Sequence, residues 1–399
     1  MSYDLKYEPV AFSSAHGDLV YVVHDTVKAN APVTYPNFKY VADVYVDGVM
    51  VSRLKIVPDP VNHFGVFNVG NIVRNYVNSN LTEPNFAAII SDDLLNYSKF
   101  VTVKFGNEYG ATPVLTTNLL DSTGLNCYNY YTGRLVGAFQ NLSPYYGMIA
   151  STRPYRTNYM SGTSKMLLPY FANDATYQII IESYTASGTL IDSETISVAS
   201  YEIDKLAILN VSAVNINANY PGTIPANAAY YTVRARNDDP PIGWRDVTYR
   251  FDIVCEPRYQ SYTLHFLNRL GGYESYTFSK VSKRAIDITK KDFTKLKYTI
   301  DSNGDMQYSS GYVINDDAVT YYGNFKERLE LNCDWLTQDQ LAWLSELVKS
   351  PQVYIEENGY LVPFKITDQS FEFKQRASDR NFNLKIAGEY GDIKNVQYR

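Results

Sequence analysis

The chain has 399 residues, more than one ordinary core accommodates and enough for two or three domains of about 150 residues. Its net charge of −6 argues against a protein whose main task is to hold nucleic acid. Aromatic residues make up 15%, with 37 Tyr against 18 Phe and 3 Trp, and tyrosine, being amphipathic, favours strands and protein interfaces.

The first domain is expected over residues 1–109. Leu19 to His24 and Phe38 to Val46 read as strands, and Asp47-Gly48 fits a two-residue turn into Val49 to Ile56. Pro58 and Pro60 break that run, because proline cannot donate to a ladder. Val69 to Val77 places Ile72, Val73, Tyr76 and Val77 at helical spacing. Phe100 to Phe105 supplies another strand, and a fibronectin-like β-sandwich closes the domain.

Residues 110–170 lack clean periodicity and read as a Tyr/Asn-rich insertion or loop region carrying Tyr128, Tyr130, Tyr131, Tyr145, Tyr146, Tyr155 and Tyr159. Disordered chains are poor in aromatics, so this stretch is ordered. Tyr, Asn, Ser and Gly together supply rigid contact area with adaptable hydrogen bonds. Two readings stand: a loop folded onto its own domain, or a contact with a neighbouring subunit or a receptor.

A second β-sandwich is expected over 171–256. Tyr177 to Tyr184 and Leu190 to Val198 flank a turn at Gly188, and Lys205 to Ile216, Tyr230 to Arg236 and Val247 to Cys255 add strands. Next comes a hairpin with aromatics on both faces: Tyr262, Leu264 and Phe266, then Gly271-Gly272, then Tyr273 to Phe278. Neither face is plainly made for water. Residues 257–399 form a mixed C-terminal β domain with one packed helix over 338–349. Thr337 with Gln340 makes a capping box, Leu341, Leu344, Leu347 and Val348 form the buried stripe, and Pro351 ends the helix. Trp343 lies beside that stripe and fits either the core or a subunit contact. Asn358-Gly359 is a further hairpin turn.

The run His265-Phe266-Leu267-Asn268-Arg269-Leu270-Gly271-Gly272-Tyr273, ending in Tyr276-Thr277-Phe278, resembles a recurrent segment of tail and neck proteins. These belong to tailed phages of Bacteroidetes, including the crAss-like phages. Trp335 to Leu347, Ser350 to Ile355 and Val362 to Asp368 resemble the C-terminal module of the same proteins, and Tyr40 to Phe67 is more loosely similar to their fibronectin-like domain. The likeness covers both ends of the chain and not roughly Gly110 to Tyr170. Its motifs are packing motifs, so it implies a structural role and transfers no catalytic residue.

No constellation of residues outweighs that implication. Cys127, Cys255 and Cys333 are far apart and show no metal-ligand spacing, so buried free thiols are expected. His16, His24, His63 and His265 are scattered. Asp301, Asn303 and Asp305 have the spacing of the first calcium ligands of an EF-hand, but Met306 and Tyr312 stand where its glycine and glutamate belong, so a hairpin turn is expected. No nucleophile, phosphate-loop or dinucleotide fingerprint occurs, and neither catalytic residues, metal nor cofactor are expected. Lys280, Lys283, Arg284, Lys290, Lys291, Lys295 and Lys297 form the dense basic stretch, read as a solvated face or a contact with an acidic subunit or DNA.

The expectation is therefore a mainly β structural protein of a tailed-phage virion, not an enzyme, in a ring, tail barrel or baseplate. Its partners would be copies of itself and neighbouring tail or portal proteins, with DNA in a channel as at most a weak contact. Tyr128, Tyr130, Tyr131, Tyr145, Tyr146, Tyr155, Tyr159, Phe266, Arg269, Tyr273 and Trp343 are the expected interface residues. The alternative is a receptor- or carbohydrate-binding adhesin at the tail tip. Neither a signal peptide in Met1 to Gly17 nor an apolar run of membrane-helix length is legible, which fits assembly in the host cytoplasm and residence in the virion.

Overall fold

The computed structural model describes residues 3–81, 86–91, 94–95, 97–116, 120–131, 149–163, 165–171, 177–197, 206–237, 245–254, 258–294, 298–307, 309–310, 313–314, 318–367, 384–391 and 394–395. Among them the protein is mainly β, with several sheets and three short helices, α1 (Gly70–Val73), α2 (Ala213–Asn219) and α3 (Gln338–Lys349). The chain divides into two compact units. One is Met1–Glu256 with His265–Tyr276; the other is Pro257–Leu264 with Thr277–Arg399.

The first unit holds two β-sandwiches. In the first, strands Tyr3–Tyr7, Val20–Asp25 and Phe64–Asn68 form one sheet. The facing sheet runs Phe12–Ser14, Leu125–Tyr128, Ser98–Tyr109, Lys39–Val46, Val49–Ile56. Alternation along Ser98–Tyr109 turns Val101, Val103 and Phe105 inward, where they meet Tyr21, Val23, Tyr40, Ala42, Val44 and Phe67 in one core. Asp47 and Gly48 both have positive φ, as a tight two-residue hairpin turn between right-twisted strands requires.

The second sandwich pairs a five-stranded sheet with a three-stranded one. The larger runs Arg156–Met160, Arg245–Val254, Tyr230–Asn237, Tyr177–Tyr184, Leu190–Ser197. The smaller runs Leu167–Phe171, Leu206–Asn210, Ile90–Ser91. Ile179, Ile181, Leu168, Tyr170, Leu209, Tyr231, Val233 and Phe251 share its core. Where it is described, the 110–170 stretch is thus built into both sandwiches: Leu125–Tyr128 into the first, Arg156–Met160 and Leu167–Phe171 into the second.

Two local expectations differ from the fold. The stretch Lys205 to Ile216 is not one strand: it ends as a strand at Asn210, and α2 follows because the Ser212 side chain accepts the Asn215 backbone N–H and caps it. Val69 to Val77 yields only the four-residue α1, since Gly70 and Asn71 are poor helix formers and Asn75 to Val77 leave the helix.

In the second unit the sheet runs Val353–Glu357, Tyr360–Ile366, Lys385–Tyr390, Ala318–Asn332, Lys283–Thr294. Tyr262–Leu264 and Thr277–Phe278 also belong to this unit. The α3 capping box is formed on both sides: Gln340 N donates to Thr337 Oγ1 at 3.3 Å and Thr337 N donates to Gln340 Oε1 at 3.0 Å. Leu341, Leu344 and Leu347 are buried as their spacing predicts, and Trp343 and Ser345 are buried with them. The Asn358-Gly359 turn has both φ positive. No helix of the described residues is long and apolar enough to cross a membrane.

Candidate functional site

The hairpin that carries the sequence resemblance turns through Asn268–Gly272. The Asn268 side chain organises it: Oδ1 accepts from the backbone N–H of Leu270 and of Gly272, both at 3.0 Å. Gly271 has φ +86°, and a Cβ there would lie 1.9 Å from the backbone oxygen of Asn129, while one on Gly272 would lie 2.1 Å from Pro169 Cβ. These two glycines are therefore required by close approach of other chain segments, not by the turn alone.

Both sandwiches of the first unit clasp this turn. From the first, Ser79 Oγ donates to Gly271 O at 2.5 Å, Tyr97 Oη donates to Leu270 O at 3.1 Å, and Tyr131 N donates to Arg269 O at 2.7 Å. Tyr273 Oη returns the favour to Ser79 O at 3.0 Å. From the second, Leu167 N donates to Ser275 Oγ at 2.7 Å and Ala150 O accepts from Asn268 Nδ2 at 2.9 Å, while within the hairpin Asn268 Nδ2 also donates to Glu274 Oε1 at 2.5 Å. The Arg153 guanidinium donates to Ser275 O, lies 3.8 Å from the Glu274 carboxylate and stands over the Phe251 ring. Burial pushes Arg153 below the ordinary guanidinium range, and the Glu274 charge opposes that shift. An ion pair without water holds its charges only while both partners remain.

Ser275 Oγ and His265 Nδ1 are 2.8 Å apart, the spacing of a nucleophile and its base. Both side chains are buried, and Ser275 Oγ already accepts the Leu167 N–H, so no substrate reaches the pair. Its chemistry is that of a satisfied core hydrogen bond.

The expected interface residues separate accordingly. Tyr128, Tyr130, Tyr159, Phe266, Tyr273 and Trp343 are buried within the chain itself and offer no surface to another molecule. Tyr128 stacks near Phe12 and meets Phe171 edge-on, and Tyr159 Oη donates to Thr163 O at 2.8 Å. Tyr131 and Tyr155 are more than half exposed, and Arg269 is exposed. Tyr145 and Tyr146 lie outside the described residues, as do Lys295 and Lys297. Cys127 and Cys333 are buried and outside any disulfide among the described residues, burial pushing the Cys127 thiol well up; Cys255 lies outside the described residues. The Asp301 carboxylate accepts the backbone N–H of Asn303 and Asp305, both at 2.9 Å, which commits it to the turn expected there.

A surface that the sequence marked only as a basic stretch is larger than any of these. Lys283–Thr294 is a twelve-residue strand, every residue of it exposed, at the end of its sheet. Antiparallel pairing with Ala318–Asn332 holds it on one side. Ile286, Ile288 and Phe293 are each about half exposed, at 54%, 58% and 48%. Arg284 pairs with Glu327, Arg328 with Asp287 at 2.6 Å, and Lys291 Nζ stands 5.5 Å over the Tyr322 ring, so side chains brace the ribbon internally. A strand edge of this length presents a row of outward N–H and C=O groups able to pair with another strand. Alternation could not reveal it, because neither face is buried and no period of two develops.

A cleft of about 310 Å³ lies between the end of α3 and Tyr360–Ile366, lined by Val348, Pro351, Tyr354, Phe364 and Lys365 among others. Among the described residues Lys365 is its one charged side chain, and no cluster of acids, histidines or cysteines able to hold a metal occurs there. No protein-family model matches the chain, and a search of curated proteins finds no match to it.

Proposed function

We propose that the chain is a structural protein of a tailed-phage virion, part of a ring, tail-barrel or baseplate assembly, that works by presenting strand edges to its neighbours. The observation that carries this reading is the Lys283–Thr294 edge, with isoleucines and a phenylalanine left half in water along a strand paired on one side. The likeness of His265–Tyr273 with Tyr276–Phe278, and of Trp335–Leu347, Ser350–Ile355 and Val362–Asp368, to tail and neck proteins supports the virion setting. Those segments here make buried turns, a capped helix and paired strands, as packing motifs should.

The tyrosine surplus takes a smaller part than composition suggests, because most of the described tyrosines named above fill the chain's own cores. Sheet edges carry the assembly, and exposed Tyr131 and Tyr155 are its minor contacts. The expected result is that particles of the encoding phage contain the chain in many copies, at one level of the tail or neck in a density map. Absence from purified particles overturns the proposal. Presence only at the tail tip, with adsorption lost and assembly intact when the chain is deleted, selects the adhesin instead.

A further inference from the structure

We infer that the Lys283–Thr294 edge pairs with the same edge of a second copy of this chain, antiparallel, about a two-fold axis at Ile288. This rests on the assembly reading above and names the partner of that surface. Directly opposed charges, together with the place of Ile288, select the partner and the register. Arg284 and Asp292 stand four residues on either side of Ile288 and, with Ile286 and Lys290, share its face by alternation. The one irregularity in the ribbon skips Tyr321 on the other strand, so the alternation along Lys283–Thr294 is unbroken.

With Ile288 opposite its own copy, Arg284 of each chain lies opposite Asp292 of the other, giving two attractive pairs. The more distant diagonal neighbours are mixed: Asp287 lies diagonal to Lys291 of the other chain but also to its own copy, and Arg284 lies diagonal to Lys290 and Lys283 to Lys291. Moving the axis by one residue, to Asp287, sets Lys283 against Lys291, Arg284 against Lys290 and Asp287 against its own copy, so like charges face each other at five places. Moving it the other way, to Thr289, sets Asp287 against Lys291 twice but lays Ile288 against Lys290 and Ile286 against Asp292, so only the register at Ile288 joins two attractive pairs to an isoleucine facing its own copy. In the favoured register Ile286 and Ile288 are covered, and the outward N–H and C=O groups of both strands pair. An isologous contact closes after two copies, so it joins subunits in pairs and is distinct from any contact that closes a ring.

Sedimentation of the full chain over a range of concentrations tests this with four proteins: wild type, Arg284→Asp, Asp292→Arg and the double swap. The proposal expects a wild-type dimer, dissociation about tenfold easier in each single variant because two like pairs now oppose, and recovery of the dimer in the double swap. Arg284 also pairs with Glu327 and Asp292 accepts from Thr320, so circular dichroism must show each variant folded. Ile288→Cys supplies a readout that leaves these charges alone: oxidation should link two copies through residue 288, and Ala285→Cys, opposite Lys291 in this register, should link far less. A wild-type monomer at every concentration overturns the inference and marks the lysines as guards against edge pairing. A dimer that the double swap does not restore, or that links equally through 285, also overturns it. A monomer found in particles would sink the self-pairing alone, and a dimer absent from particles would sink the virion reading alone.

Discussion

Between Tyr262 and Phe278 the chain makes a hairpin whose polar residues are inside; along Lys283–Thr294 it makes a longer edge strand whose apolar residues are outside. His265, Asn268, Glu274 and Ser275 are each under 5% exposed and find partners in neighbouring segments, whereas Ile286, Ile288 and Phe293 meet water. Residue type alone would assign these places the other way round. A buried polar group costs free energy unless it is hydrogen-bonded, so the hairpin tolerates its polar residues only through the clasp of two sandwiches. An exposed apolar group on an open edge has no such compensation among the described residues. The first region is therefore a joint of the fold, and the second is a surface prepared for contact.

The largest expected effect falls on the joint. Glu274→Ala leaves Arg153 buried without its counter-charge and should cost about 3–5 kcal/mol, read from the denaturant midpoint. A loss under about 1 kcal/mol, the range of surface pairs, would mean that water reaches the network.

The glycines sharpen the same contrast. Gly271→Ala must accept a positive φ and displace the Asn129 carbonyl, and should cost more than the roughly 1–2 kcal/mol of left-handed strain alone. Gly359→Ala has φ +83° but no atom within 4 Å of its Cβ, so it should cost no more than that strain, about 1–2 kcal/mol. Equal midpoints for the two variants would show that the clasp around the hairpin yields freely.

Alkaline pH should loosen the first unit through its buried phenols. Burial raises Tyr40 to about 12, against the backbone N–H of Asp25 that favours its ionised form, and burial raises Tyr3 and Tyr21 further. A phenol whose folded pKa is raised keeps its proton longer in the fold than in the unfolded chain. Its contribution is thus whole below about pH 10, the unfolded value, and is lost as pH rises towards the folded one. Near-ultraviolet circular dichroism should hold steady to about pH 10 and fall above it, with the tyrosinate absorbance rising in step. Gradual loss of signal from pH 8 would contradict this.

The smallest expected effect on stability lies on the ribbon. Ile286→Ser should move the unfolding midpoint by no more than about 0.5 kcal/mol, yet weaken association. A substantial loss of stability with association unchanged would place Ile286 in a core and end the contrast.

Much of the fold was legible in the sequence, and for identifiable reasons. Asp47-Gly48, Asn358-Gly359 and the Thr337–Gln340 cap are local devices, complete within a few residues, and each forms as read. The identity of the contact surface was not legible. Tyr128, Tyr159 and Tyr273 carry the same compositional signal whether another chain covers them or their own does, and here their own does. Trp343 illustrates the same ambiguity on α3, where the buried face is wider than the leucine stripe. The strand Lys283–Thr294 escaped because a strand exposed on both faces has no alternation to read, and its lysines stood out in its place. The polar clasp escaped as well, since Arg153 and Glu274 are far apart in sequence and only the fold brings them together.

Hydrogen exchange along the whole chain, compared between dilute protein and the assembled state, tests the central distinction most directly. The amides of Tyr262–Leu267 and Tyr273–Phe278 should be protected in both states, because their partners lie within the chain. Those amides of Lys283–Thr294 that face away from Ala318–Asn332 should exchange quickly when dilute and gain protection on assembly. Protection that appears on assembly in the hairpin while Lys283–Thr294 stays open would contradict the account.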